Sequence, residues 1–288
     1  MKLMNIPEVS VALPARNAER FVAGAVRSIL SQSFTDFELI ILDDGSTDRT
    51  MAEISRFSDE RIRIISDGQP RGLSFRLNQA IALARGRYFA RMDADDIAFP
   101  ERLAKQIAFM DTYPEVDLVG CRALLFDDQG EPKGYFPFKE SHCQICKHPW
   151  LGFDLAHPTW FGRIDWFKRY EYREVLRAED QDLLLRSFRQ SCFACIPEVL
   201  FAYRLGSTGV GRRLQGRKAL FACHFSEFVG HREFGNLGWA SVAFGARVLL
   251  DLAGVVPGFE RMHMIRRNIE MTEADLLSFQ QLFSTYYR

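Results

Sequence analysis

Four short apolar runs, each followed by a polar cluster and then by a stretch with helical spacing, constrain the fold more than any other feature. Val9-Ser10-Val11-Ala12-Leu13 reads as a first strand, Phe37 to Leu42 as a second, Arg61 to Ser66 as a third and Arg87 to Met92 as a fourth. After the first strand, Phe21, Val22, Ala25, Val26, Ile29 and Leu30 form an apolar face at helical spacing. That helix is expected from about Ala18 to Ser31, with Asn17 as its N-cap. A second helix is expected up to about Phe57. A third is expected over Leu73 to Ala84, with Gly86 placed to end it. Pro100 suits the first turn of a fourth, which continues to about Thr112. The near-continuous apolar run of the second strand suits burial on both faces. Strand and helix thus alternate through roughly the first 120 residues, which implies a mostly parallel sheet flanked by helices. In such sheets ligands bind beyond the carboxyl ends of the strands.

The strand ends here are polar. The first carries Pro14-Ala15-Arg16-Asn17, the second Asp43-Asp44 and the fourth Arg91-Met92-Asp93-Ala94-Asp95-Asp96. Three carboxylates in four residues repel one another unless a proton or a cation sits among them. On an extended backbone Asp93 and Asp95 point the same way. They would then hold one hard divalent ion such as Mg2+ or Mn2+. The plain alternative is a solvated acidic turn with Asp96 capping the next helix. No Gly-x-Gly-x-x-Gly follows the first strand and no Gly-x-x-x-x-Gly-Lys-Ser/Thr occurs, which argues against a dinucleotide oxidoreductase and an ordinary P-loop enzyme.

The middle of the chain changes character. Val116 to Phe126 is strand-like and Asp127-Asp128-Gln129-Gly130 reads as a hairpin turn. An aromatic-rich irregular stretch runs from His148 to Trp160. Ala178-Glu179-Asp180-Gln181-Asp182 then opens an apolar helical run. One of its acids suits a helix N-cap, and another suits a general base facing the crevice. Phe193 to Ile196 and Val199 to Tyr203 read as two late strands with Pro197 between them. Cys143/Cys146 and Cys192/Cys195 form two C-x-x-C pairs. A strand sends residues three apart to opposite faces, so buried thiols are expected rather than a zinc site.

Acidic and basic residues balance at 37 each among 288, which argues against a nucleic-acid partner. The N-terminus lacks a secretory apolar stretch. The longest candidate membrane span, Leu237 to Val256, is broken by Arg247 and Asp251. A cytoplasmic protein with reduced cysteines is expected. Residues 1–207 are read as one domain, with a nucleotide-binding half over about 1–120 and an acceptor half over about 121–207. Residues 208–288 are read as a helical C-terminal extension. In it, a helix over Ala219 to Phe234 buries Phe225, Phe228 and Val229, and a second covers Leu237 to Leu252. Packing on the core is the first reading of this extension. Contact with the cytoplasmic membrane face and homo-oligomerisation are the others.

Several of these segments together resemble the family-2 glycosyltransferases of GT-A fold. The resemblance covers Val9 to Ser207. It is carried by Val-Ser-Val-Ala-Leu-Pro-Ala-Arg-Asn (9–17), Ser-Ile-Leu-Ser-Gln-Ser-Phe (28–34), Leu-Asp-Asp-Gly-Ser-Thr-Asp (42–48), Met-Asp-Ala-Asp-Asp (92–96), His-Pro-Thr (157–159) and Ala-Glu-Asp-Gln-Asp-Leu (178–183). It implies inverting transfer of a sugar from a nucleotide-sugar, usually a UDP-sugar, to a hydroxyl of a glycan or lipid-linked acceptor. It also implies that Pro14, Arg16 and Asn17 touch the nucleotide and that Asp44 recognises the uracil. Asp95 would bind Mn2+ or Mg2+ directly, with Asp93 near the ribose or the metal. Asp180 would be the catalytic base, with His157 and Glu179 on the acceptor side. Tyr203-Arg204 resembles a closing motif whose arginine approaches the diphosphate, although Leu205-Gly206 stands where a histidine is common. A sugar-phosphate nucleotidyltransferase and a non-catalytic nucleotide-sugar-binding protein are the competing classes. The first of these expects a Gly-rich loop where Pro14-Ala15-Arg16-Asn17 stands.

Overall fold

The computed structural model describes residues 6–175, 177–206, 209–253 and 271–287. Strand β1 (Val9–Ala15) lies at the centre of a parallel set. It pairs in parallel with β2 (Phe37–Asp43) and with β4 (Tyr88–Arg91), and β2 pairs in parallel with β3 (Ile62–Ser66). Antiparallel β8 (Phe161–Arg163) then joins β4 to β6 (Leu118–Phe126), which pairs in parallel with β9 (Phe193–Arg204). The short β5 (Ile97–Ala98) closes the far edge against β9, and β7 (Pro132–Tyr135) pairs with β6 through the hairpin at 127–130. The sheet order is β3-β2-β1-β4-β8-β6-β9-β5.

Side chains alternate across the strands, and both faces are buried. Val9, Val11, Leu13, Leu39 and Ile41 face a core built with α1 (Val22–Leu30), α2 (Thr50–Ile54) and α4 (Arg102–Thr112). Ala12, Ile40 and Leu42 face the opposite core, built with α3 (Leu73–Leu83), α6 (Ile164–Arg169) and α7 (Glu179–Ser187). A short α5 (His142–Ile145) precedes two 3-10 turns at Pro149–Leu151 and His157–Thr159.

The C-terminal helices divide between two sides. Helices α8 (Val210–Gly230) and α9 (Phe234–Ala253) form a hairpin beside α7, with the Phe221 and Phe244 rings stacked at 4.8 Å. Helix α10 (Glu273–Tyr286) instead packs on the far end of the sheet. Its buried Phe279 and Tyr286 join Ile97, Phe126 and Tyr135 in a third core. The 207/208 boundary drawn from sequence falls outside the described residues. Among the described residues no helix is long and apolar enough to cross a membrane.

Several local expectations are corrected. Asn17 is not the cap of α1, which starts after Phe21. It takes a left-handed φ of 49° that asparagine tolerates, and its Oδ1 accepts the Thr47 N–H at 2.9 Å. The loop after β1 is thereby tied to the loop after β2. Gly86 does not end α3 in a left-handed conformation. It is glycine because a Cβ there would lie 2.6 Å from the Ser10 nitrogen. The two late strands are one strand, and Pro197 is absorbed by register shifts against β6. The N-cap of α7 is Ala178, so none of the acids caps the helix and all occupy its first turn. Helix α8 begins nine residues earlier than Ala219, and only Phe228 of its expected stripe is buried. Phe225 and Val229 face outward.

Candidate active site

The parallel register brings the carboxyl ends of β1, β2 and β4 to one edge of the sheet. Pro14 is buried within β1, opposite Leu42 of β2. Arg16 and Asn17 emerge exposed just beyond it, and the Arg16 guanidinium lies 3.8 Å from Asp44 Oδ2. Asp44 is nearly buried and its carboxylate is held on several sides. It accepts the Arg71 N–H at 2.7 Å, the Gly72 N–H at 3.0 Å and Arg76 Nε at 3.1 Å. Gly72, at φ 90°, permits the turn that presents these two backbone donors.

Arg76 was not singled out from the sequence. Its side chain is fully buried, and it also donates to Asp67 Oδ1 and to the Gln69 carbonyl, each at 2.6 Å. A signal existed, because Arg76 sits between Leu73, Leu77 and Ala80 on the inward face of α3. A cation at a core-facing helical position requires a buried anion.

The acidic cluster is a turn rather than the extended segment assumed above. The turn gathers all three acids, so that Asp93, Asp95 and Asp96 each place a ligand oxygen within 4.8 Å of the others. Burial, followed by repulsion from Asp93, pushes the Asp95 carboxyl up to about 6. Burial and then the neighbouring acids push Asp96 well above the usual range. Asp96 Oδ1 accepts the Arg204 N–H at 2.7 Å, whereas its buried Oδ2 has no partner. An all-oxygen donor set whose ionisation burial and mutual repulsion oppose fits a hard divalent cation.

Arg204 lies beneath this turn. Its side chain is 2% exposed and its Nε donates to the Asp95 carbonyl at 2.9 Å. The guanidinium lies over the Phe21 and Phe126 rings, at 3.9 Å and 4.5 Å from their centroids. So placed, it braces the Asp95 loop, and its Nη2 has no hydrogen-bond partner among the described residues. Tyr287, just beyond α10, packs on Phe21 beside it.

Asp93 is ion-paired with Arg91 at 2.7 Å. The Arg91 guanidinium is buried, which opposes its charge. Asp93, then Tyr172 and Glu179, more than restore it. Arg91 thus sits electrostatically between the acidic turn and a second cluster at the start of α7. There Glu179 is pushed up to about 7, by burial first and by repulsion from Asp180 second. Asp180 is also raised, chiefly by burial. His157 is buried beside them. Its Nε2 is 2.8 Å from the Tyr172 hydroxyl and its Nδ1 is 4.0 Å from Glu179, and burial keeps it neutral. Two α4 side chains fix the 157–159 turn against β4. Arg102 Nη2 donates to the carbonyls of Arg91 and Pro158, and Gln106 Nε2 donates to that of Thr159.

The cysteines are all free. Cys121, Cys195 and Cys223 are buried, and Cys143 is exposed. Among the described residues the acidic turn is the only group of three ligand side chains close enough to share a metal.

The chain is similar to several known proteins. Residues 10–170 match the family described as "Glycosyl transferase family 2". The "Putative glycosyltransferase EpsE" of Bacillus subtilis is 34% identical over 216 residues, which span 72% of this chain and 76% of that protein. The "UDP-Glc:alpha-D-GlcNAc-diphosphoundecaprenol beta-1,3-glucosyltransferase WfgD" of Escherichia coli is 35% identical over 102 residues, 35% of this chain and 40% of that one. Glucosyl-3-phosphoglycerate synthase from Mycobacterium tuberculosis, solved with Mn2+, UDP and glucosyl-3-phosphoglycerate, superposes with a TM-score of 0.57 at 20% identity. That match covers 77% of this chain and 80% of the synthase. The sequence motifs, the strand-end acids and these likenesses converge: the chain belongs to glycosyl transferase family 2 and has the GT-A fold.

Proposed function

We propose that this glycosyltransferase moves a sugar from a UDP-sugar to a hydroxyl of a glycan or lipid-linked acceptor, with inversion and with a bound Mn2+ or Mg2+. The observation that carries this reading is the pairing of two acidic clusters across Arg91, one at the strand ends and one at the start of α7. The donor loops suit a nucleotide. Arg16 and Asn17, exposed beyond β1, would touch the nucleotide, and the Asp44 carboxylate would accept from the imide of uracil. Asp95, with Asp93 beside it, would hold the metal, which when bound neutralises charge on the departing diphosphate. Arg204 keeps the Asp95 carbonyl in place from beneath.

Asp180 is the general base. A sugar hydroxyl is a weak nucleophile, and a carboxylate on the side opposite the leaving group takes its proton during attack. One base and no protein nucleophile give a single displacement, hence inversion. Glu179, whose proton is retained to about pH 7, borders the acceptor together with neutral His157. The UDP-glucose donor and diphosphoundecaprenol acceptor named for the E. coli relative support a UDP-sugar and a lipid-linked acceptor here. The test is transfer from a panel of UDP-sugars to glycan and polyprenyl-diphosphate acceptors, with product stereochemistry read by NMR. Transfer that survives undiminished in both Asp95→Asn and Asp180→Asn would reject the mechanism.

A further inference from the structure

The α8–α9 hairpin has an outer surface unlike that of an ordinary solvent-facing helix pair. Phe225, Phe234, Trp239, Val242, Leu249 and Leu252 are each 50–69% exposed. Every exposed residue of α9 is apolar, glycine or serine, and none carries a charge. Helices that face water ordinarily carry polar side chains there. This uncharged face runs the length of a 20-residue helix, or about 30 Å.

The charges of the hairpin are sorted. Residues 209–253 hold six Lys/Arg and three Asp/Glu. All three acids are turned inward and paired. Glu227 and Glu233 meet Arg189, and Asp251 meets Arg213 and Arg217. Arg212, Lys218 and Arg232 are exposed, and no acid of the hairpin is.

We propose that this hairpin is a docking surface for an anionic phospholipid bilayer, with the uncharged face of α9 seated at the boundary between headgroups and acyl chains. Apolar side chains along one helix and exposed cations without exposed acids complement such a surface. The helices are not long and apolar enough to cross a bilayer, so the hairpin lies on it. It also adjoins the acceptor-side cluster. Cys223 of α8 packs in the core of α7, and Arg189, just after α7, anchors both Glu227 and Glu233. If the acceptor is lipid-linked, as proposed above, the enzyme would meet it at this surface.

The test is cosedimentation of the full chain with vesicles of phosphatidylcholine alone or mixed with phosphatidylglycerol, together with tryptophan emission. Binding to the anionic vesicles with a blue shift is expected. Arg212→Glu combined with Lys218→Glu should weaken it by at least about tenfold. Trp239→Glu with Leu249→Glu should abolish both signals while the melting curve stays unchanged, since both sites are exposed. Failure to bind anionic vesicles would overturn the proposal, as would binding that the Trp239/Leu249 variant retains. A dimer that this variant dissolves would give the face to a second copy and would also overturn it. UDP binding, measured alongside, separates failure of this surface from failure of the transferase reading.

Discussion

Glu179→Gln is expected to remove the titration near pH 7 and to leave the acid limb of transfer where Asp180 sets it. Raising a glutamic acid from its ordinary 4.5 to about 7 corresponds to roughly 3 kcal/mol. Burial supplies the larger share and Asp180 the next. In the native enzyme the two acids titrate as a unit, so the pair keeps one proton until near neutrality. Glu179 holds that proton, so Asp180 is already ionised near pH 7, and activity should fall only at the lower pH where Asp180 itself takes up a proton. Glutamine keeps the shape of Glu179 and removes its titration. Asp180 loses its proton beside an uncharged neighbour in both forms, so the acid limb of kcat/KM should stay in place while the titration near pH 7 disappears. The plateau should stay within about tenfold of the native value, whereas Asp180→Asn should lower it by about 10²–10⁴. The assay is initial-rate UDP release across the acid and neutral range at fixed ionic strength. An acid limb that moves downward in Glu179→Gln would mean that Glu179 ionises before Asp180 and would refute the assignment of the proton to Glu179. A full plateau in Asp180→Asn would remove the base.

Two further outcomes test how the site is supported. Arg76→Met removes the buried cation paired with Asp44, together with its bonds to Asp67 and the Gln69 carbonyl. It should cost about 3 kcal/mol in urea unfolding and weaken UDP binding as well, because breaking a buried pair from one side leaves an uncompensated charge. Gly86→Ala pushes a Cβ to 2.6 Å from the Ser10 nitrogen and 2.7 Å from the Val9 carbonyl carbon. Neither atom can move without shifting β1, so the urea midpoint should fall by an amount equivalent to about 1–3 kcal/mol, with the slope unchanged.

What could be read from the sequence follows from which signals are local. The apolar runs of β1 and β2 are buried on both faces and end in polar residues, so their identity and their shared edge were legible. The acids after β4 stood out because like charges so close in sequence need a physical reason. Their convergence was expected from an extended backbone, yet a turn brings it about and adds Asp96. The cap assigned to Asn17 failed because the residue bonds to Thr47, 30 positions away. Propensity near one helix cannot report a contact made with another loop. Arg76 and Arg102 are buried cations whose partners lie on other elements. Only their position on inward helix faces hinted at them. The outward turn of Phe225 and Val229 could not be foreseen, because helical spacing defines a stripe but not the neighbour that covers it. Helix α10 likewise carries no motif, and its place against Phe126 and Ile97 rests on long-range packing alone.

The central claim is that the acidic turn binds a divalent cation together with a uridine diphosphate. Calorimetry of UDP binding with and without Mn2+, in the native chain and in Asp95→Ala, tests it most directly. The account predicts binding that requires the metal and disappears in Asp95→Ala, while the melting curve of that variant holds. UDP binding of equal strength in the native chain and the variant, or binding indifferent to Mn2+, would contradict it.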